Sequence, residues 1–536
     1  MSENTSTEKE QRSLLKSTSG MAFATFLSRI LGVIRVRLES AVLGGGETAS
    51  AWFLAFSIPN LLRRVLGEGA LSTSLIPLIA ENCIKDGEER VRKQLAVVFS
   101  ILSAILTGIV IVVSLFSIIV VKFSASWGIE FFTHPRIILT FKLLPLLMPY
   151  GLFICLTGVV GAVLNYAKIF LLPALAALLL NIVLLGGLSA ALIFAMPEEE
   201  FLPMLALLVP AAGILQLAMV TVLLKFTGFF PDFCDFWKER AILKSLFNLA
   251  LPGMLGYSAL QVSFLIDRGM AASLGSQAIP ALTYVDRIVD IPIGIVAVSL
   301  GSVLMPMMSR SAAAGRCDEI AETLAYSLRM MWFATLPVAA LVMFFHNNML
   351  HILCLGGRYT MADLQAAHWV AVFYGVGIPF FCSLKVIYPA FYARQKMVTV
   401  LKVSVCATTI NIVMNYILMQ FLAQGGIALA TVISSLFNNG VLLWLLKKEN
   451  MTRHAGAVFL SFVRSAAVAF GGAGVLYLIS RCYGFEAWAM KHWLNEIILL
   501  GVVSIIFMIG YFGILWCLKS TEIRELFSLI RRRIKK

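Results

Sequence analysis

The sequence predicts an all-α polytopic membrane protein of about fourteen transmembrane helices, built as two pseudo-repeated six-helix lobes plus two C-terminal helices, with both termini cytoplasmic. Three observations carry this reading. Of the 536 residues, 60% are hydrophobic and only 13% charged, against roughly 25% charged in ordinary soluble domains. The apolar residues fall in runs of about 20, the length of helix that crosses the hydrocarbon core. Basic residues collect in every second loop, as expected of loops held on the cytoplasmic side.

Taken in order, residues 1–18 are polar, with no apolar core followed by a small-residue cleavage site, and read as a cytoplasmic tail rather than a removable signal. The first lobe, 19–226, holds spans near 21–43, 49–80, 95–123, 139–165, 169–196 and 201–225. A cytoplasmic linker, 227–245, carries Lys238, Arg240 and Lys244. The second lobe, 246–448, holds spans near 246–274, 281–308, 325–346, 367–392, 398–421 and 425–447. Segment 449–520 adds spans near 457–479 and 494–518, and 521–536 is a basic cytoplasmic tail ending in RRRIKK. Lys85, Arg90, Arg92 and Lys93 follow the second span, Lys168 the fourth, Arg310 and Arg316 the eighth, Arg394 and Lys396 the tenth, and Lys447, Lys448 and Arg453 the twelfth. The alternate loops, such as GGGE at 44–47 and PEEE at 197–200, are poor in base. The net charge of +14 therefore reports topology and implies no nucleic-acid partner. The nine cysteines contain no C-x-x-C pair and imply neither a metal site nor a disulfide framework.

The two lobes echo each other. The segment 252–275 resembles 19–44, and LMPMMSR at 304–310 resembles LIPLIAE at 75–81, with Pro306 answering Pro77. Internal repeats are the sequence trace of transporters whose two bundles rock around a midplane site.

Charges inside the spans point to the cargo. Each costs roughly 2.5 to 3.5 kcal/mol at mid-membrane, so the group in the first two spans implies a water-filled basic cavity and an anionic cargo. Arg29 and Arg35 are six residues apart, about 240° around a straight helix, and a bend near Gly32 would be needed to bring both to one cavity. Arg37 and Glu39 are read as a local pair. Asn60, Arg64 and Glu68 are spaced as an i,i+4 ladder that satisfies itself and leaves Arg63 to meet cargo, while Pro59 and Pro77 are read as kinks. In the eighth span Asp286, Arg287 and Asp290 stand within one turn, with Arg287 as the second lobe's anchor. Arginine suits this task because its planar fork donates paired hydrogen bonds to phosphate and stays charged, and a diphosphate has acceptors for several such groups.

The runs SRILGVIR at 28–35, AWFLAFSIPNLLRR at 51–64, EGALSTSLIPLIAE at 68–81, YVDRIVDIP at 284–292 and YARQK at 392–396 resemble the MurJ (MviN) family of lipid II flippases, within the multidrug, oligosaccharidyl-lipid and polysaccharide exporter superfamily. The resemblance implies a multi-pass protein of the bacterial inner membrane, a carrier and not an enzyme. Its cargo would be lipid II, the undecaprenyl-diphosphate-linked disaccharide-pentapeptide used for peptidoglycan, with membrane lipids and cell-wall synthesis proteins as partners. It places the substrate-binding arginines on Arg29, Arg35, Arg63 and Arg287 and the functional acid on Glu68. It also implies a groove for the lipid tail built with the two last spans, where GGAG at 471–474 is compatible. The chain departs from the family at Val36 and Ser50, where many members carry Asp, and Glu39 and Glu47 are the candidate substitutes.

No nucleotide signature is present, so coupling to ATP is not expected. Some relatives carry a sodium site in the second lobe, and Asp267, Asn411, Asn415 and Thr431 are hard oxygen ligands that would suit that ion here. The membrane potential is the rival driving force, at about 2.3 kcal/mol per charge per 100 mV. Three other functions compete: an exporter of drugs or of another polyprenyl-diphosphate-linked glycan, a membrane-embedded transferase, and a non-transporting scaffold, which leaves the arginines inside the spans unexplained. An exporter of cationic drugs calls for acids and aromatics in the cavity, not arginines. A membrane-embedded polyprenyl-phosphate transferase calls for a catalytic carboxylate or histidine, whereas the six histidines are spread along the chain without clustering.

Overall fold

A computed structural model describes residues 27–67, 70–452, 455–489 and 492–525. Glu68, the N-terminal tail and the basic segment from 526 onward lie outside the described residues. Among those described, the chain is helical, with a single isolated β-bridge between Gly356 and Tyr359. It divides into two compact units, Met1–Ser276 and Gln277–Lys536.

The first unit opens with α1, residues 27–43. The second span is α2 (Glu47–Leu62), a π-helical turn (Arg63–Gly67) and α3 (Ala70–Asp86), not one kinked helix. Then come α4 (Glu88–Trp127), the short α5 (Glu130–Thr133), α6 (Pro135–Leu147) and α7 (Pro149–Tyr166). The expected fourth span is thus two helices meeting at Met148, because Pro149 has no amide hydrogen to continue the ladder and fits the first turn of a new helix. α8 (Leu171–Ile193), α9 (Glu198–Lys225) and α10 (Ala241–Leu274) complete the unit. Its main core joins α3, α4, α7 and α9 through Leu75, Ile79, Leu95, Val98, Val159, Val163 and Leu224. Between membrane helices such contacts act by close packing rather than by withdrawal from water, which makes small residues decisive. Gly158 shows this: a Cβ there would lie 2.2 Å from the Gly67 carbonyl oxygen, so α7 and the π turn touch backbone to backbone.

By the sequence repeat α10 opens the second half, yet it packs with the first unit. Arg136 Nε donates to the Ala272 carbonyl (3.0 Å), and the Ser50 hydroxyl donates to the carbonyl of Ser276.

The second unit begins with α11 (Ala278–Pro292), a second π turn (Ile293–Ala297) and α12 (Val298–Ala313). In the register that aligns Pro77 with Pro306, the two π turns begin within one residue of each other, which extends the repeat from sequence to backbone. The same register sets Arg287 against Ile58, more than one helical turn before Arg63. Next are α13 (Cys317–Cys354), kinked at Phe345, and α14 (Met361–Tyr392), started by a Thr360–Asp363 capping box. α15 (Met397–Leu422), α16 (Gln424–Lys448), α17 (Ala455–Cys482), the short α18 (Phe485–Ala489) and α19 (Trp493–Cys517) follow. The two added helices pack on α13: Tyr511 of α19 donates to the Phe333 carbonyl (3.0 Å), and Gly474 of α17 lies against the Phe344 ring.

Ten of these helices are individually long and apolar enough to cross a membrane among the described residues. The other expected spans correspond to α1, α10 and the two runs interrupted by π turns. All nine cysteines are free.

Candidate substrate-binding site

Arg35 is buried and held on two sides. Its Nη1 donates to Asn181 Oδ1 of α8 (2.8 Å), and its Nε faces Glu39 Oε1 one turn on (3.3 Å). Glu39 therefore pairs with Arg35 and not with Arg37, because i,i+4 residues share a helix face and residues two apart do not. Arg29 is half-buried, and α1 runs without a break through Gly32, so the bend that would turn both arginines to one side is not found.

In the second span Asn60 pairs with Arg63 rather than with Arg64, and the Arg64–Glu68 rung of the expected ladder lies outside the described residues. Arg63 Nε donates to Asn60 Oδ1 (2.8 Å), while Arg64 Nη1 donates to Gln261 Oε1 of α10 (3.1 Å) and its guanidinium stands 5.3 Å from the Phe264 ring centre. The π turn starts at Arg63, so the regular i,i+4 spacing on which the Asn60–Arg64 pairing rested ends there. Buried Arg268 covers the same ring at 4.8 Å. Gln261, Phe264 and Arg268 were missed in the sequence, although their spacing of three and four places them on one face of α10.

The two candidate substitutes for the missing acids are both engaged within the first unit: Glu39 with Arg35, and half-exposed Glu47 with buried Arg136 (3.5 Å). Val36 is buried. In the second unit α11 buries Tyr284, Val285, Ile288 and Val289, leaving Asp286 and Arg287 half-buried and Asp290 exposed.

Of the four residues named for sodium, Asn411, Asn415 and Thr431 come together. Asn415 Nδ2 donates to Asn411 Oδ1 (3.3 Å), and Asn411 Nδ2 donates to Thr431 Oγ1 (3.4 Å). Asp267 lies on α10 of the first unit. Among the described residues no group of three His, Cys, Asp or Glu side chains could hold a metal ion.

The histidines are less scattered than the sequence suggests, because antiparallel α13 and α14 bring His346 and His368 to 2.8 Å. His346 Nδ1 also bonds the Met343 carbonyl beside the Phe345 kink (2.9 Å), and His351 pairs with buried Glu496 of α19. These contacts join helices and cap a kink.

A family model described as "Lipid II flippase MurJ" matches residues 40–495. The chain belongs to the MurJ lipid II flippase family. Among the relatives of this MurJ-family chain, the probable lipid II flippase MurJ of Rhizobium tropici is 28% identical over 98% of this chain and 97% of its own length. The lipid II flippase MurJ of Burkholderia cenocepacia is 26% identical over 95% and 98%. A solved lipid II flippase MurJ in an inward closed conformation superposes with a TM-score of 0.72 at 22% identity, over 92% of this chain and 99% of that one. An inward-facing multidrug resistance MATE transporter of the MOP superfamily matches at 0.62 and 14%, over 80% and 96%, so this fold is shared beyond flippases.

Proposed function

We propose that this protein flips lipid II from the inner to the outer leaflet of the bacterial cytoplasmic membrane for peptidoglycan synthesis, by alternating access of a cavity lined with arginine. The observation that carries the reading is the family match over residues 40–495, in a chain whose span helices hold Arg29, Arg35, Arg63 and Arg287 buried or half-buried. Such charges are expensive in lipid unless they meet water, a counter-ion or cargo. Arg63, aimed by Asn60 at the start of a π turn, and Arg287 on α11 are the proposed diphosphate anchors of the two units. Arg29 and Arg35 are proposed to extend the basic wall. Arg35 has a second task, since it ties α1 to α8.

The test is complementation of a flippase-depleted bacterium, paired with binding of lipid II and of undecaprenyl phosphate to the purified protein. Arg63→Ala and Arg287→Ala are expected to insert normally, fail to complement, and lose preference for the diphosphate; full rescue by both would overturn the assignment. Sodium is proposed as the coupling ion, with the neutral oxygens of Asn411, Asn415 and Thr431 as its ligands in the second unit, and Asp267 of the first unit is proposed as an acid on which the response to sodium depends. An Asp267→Ala protein whose transport keeps the wild-type response to sodium would remove that ion.

A further inference from the structure

On the basic-loop side of the second unit, the early turns of α13, the last turn of α16 and the first turn of α17 line an open pocket of about 310 Å³. Leu324, Leu328 and Trp332 line it from α13, Trp444 and Lys447 from α16, and Val458 from α17. The Trp332 indole N–H is turned away, donating to the Ser383 hydroxyl of α14 (2.7 Å), so the ring presents only carbon to the pocket. Its volume is at the small end of ligand pockets, which run from about 300 to 1,000 Å³. An apolar space of this size suits one hydrocarbon chain.

The mouth of the pocket is basic. Lys447 is exposed and has no hydrogen-bond or ion-pair partner among the described residues, and Lys448 stands 5.8 Å from the Trp444 ring centre. The neighbouring carboxylate, Glu449, is already held by Lys396 (2.5 Å) and Arg394. A free ammonium at the rim, an interfacial tryptophan and a carbon-lined interior match an amphiphile with an anionic head.

We propose that this pocket binds an anionic glycerophospholipid of the cytoplasmic leaflet, one acyl chain inside and the phosphate on Lys447. The site is separate from the arginines assigned to lipid II and stands or falls without them. The experiment counts lipids retained by the full-length protein, by native mass spectrometry, after extraction from bilayers of phosphatidylglycerol and phosphatidylethanolamine with identical chains. Wild type is expected to retain phosphatidylglycerol preferentially. Lys447→Gln should weaken that retention about fivefold, the factor matching roughly 1 kcal/mol per lysine near an anionic surface, and leave phosphatidylethanolamine unchanged. Ala455→Trp, which places a large ring at the pocket wall from an exposed position, should displace both lipids. Lipid II binding should be unaltered in both variants. Equal retention of the two phospholipids by wild type, or no change in Lys447→Gln, would overturn the proposal. So would displacement of phosphatidylglycerol by equimolar undecaprenyl phosphate, which would assign the pocket to a polyprenyl chain.

Discussion

Arg35 and Glu39 show how much a single residue's partners decide. Both side chains are almost wholly buried, and the arginine also donates to Asn181. Removing one member of such a pair strands the other charge, which costs roughly 3 to 5 kcal/mol, whereas removing both is far milder. Arg35→Ala should therefore unfold at markedly lower temperature in detergent, and Arg35→Ala with Glu39→Ala should recover much of the loss. Equal melting of wild type and Arg35→Ala would refute a structural share for this arginine. The residue types at these positions were legible in the sequence, because arginine inside an apolar run stands out. Their partners were not. Asn181 and Gln261 lie 146 and 197 residues from the arginines they bind, and no local spacing announces such contacts. Where a local pairing was read, it chose the wrong partner for Glu39, which meets Arg35 one turn back, and it failed at Arg63, where the helix is no longer regular.

At the scale of elements, span positions were legible because an apolar run must match the bilayer. The run expected at 425–447 is α16 at Gln424–Lys448, and that at 398–421 is α15 at Met397–Leu422. The π turns were not legible, since a backbone register shift leaves composition unchanged. Their recurrence in both units, and the contact of Gly67 with Gly158, indicate that this irregularity is built in. Gly158→Ala is expected to force α7 off the π turn and destabilise the protein by about 1 to 3 kcal/mol, the range of overpacking, readable as a fall in thermal midpoint. An unshifted midpoint would show that the approach is slack.

The YARQK loop is an ion-pair clamp as well as a point of family resemblance: Arg394 and Lys396 both grip Glu449 at the end of α16. Burial pushes the Glu449 carboxyl up, but its bonds to Lys396 and Arg394 outweigh that and leave it below its ordinary value. A carboxylate lowered on folding stabilises above its unfolded pKa and loses that contribution as pH falls through the folded value. The protection factors of the amides in residues 393–396, with the intrinsic pH dependence of exchange divided out, should therefore fall as the pH is lowered below the ordinary glutamate value of about 4.3. Glu449→Gln should exchange faster at neutral pH and lose most of that dependence. A variant with the wild-type profile would locate the titration elsewhere.

For the whole molecule, the family match, the paired π turns and the arginines within the span helices describe one kind of machine, a carrier for a lipid with a charged head. The likeness to MATE transporters explains why the fold alone does not choose the cargo, and places the choice on side chains. The most direct measurement is lipid II flipping in proteoliposomes by wild type, Arg63→Ala and Arg287→Ala at matched insertion. The account predicts that wild type moves lipid II and that each variant, though folded, moves little or none. Wild-type rates in both variants would contradict it.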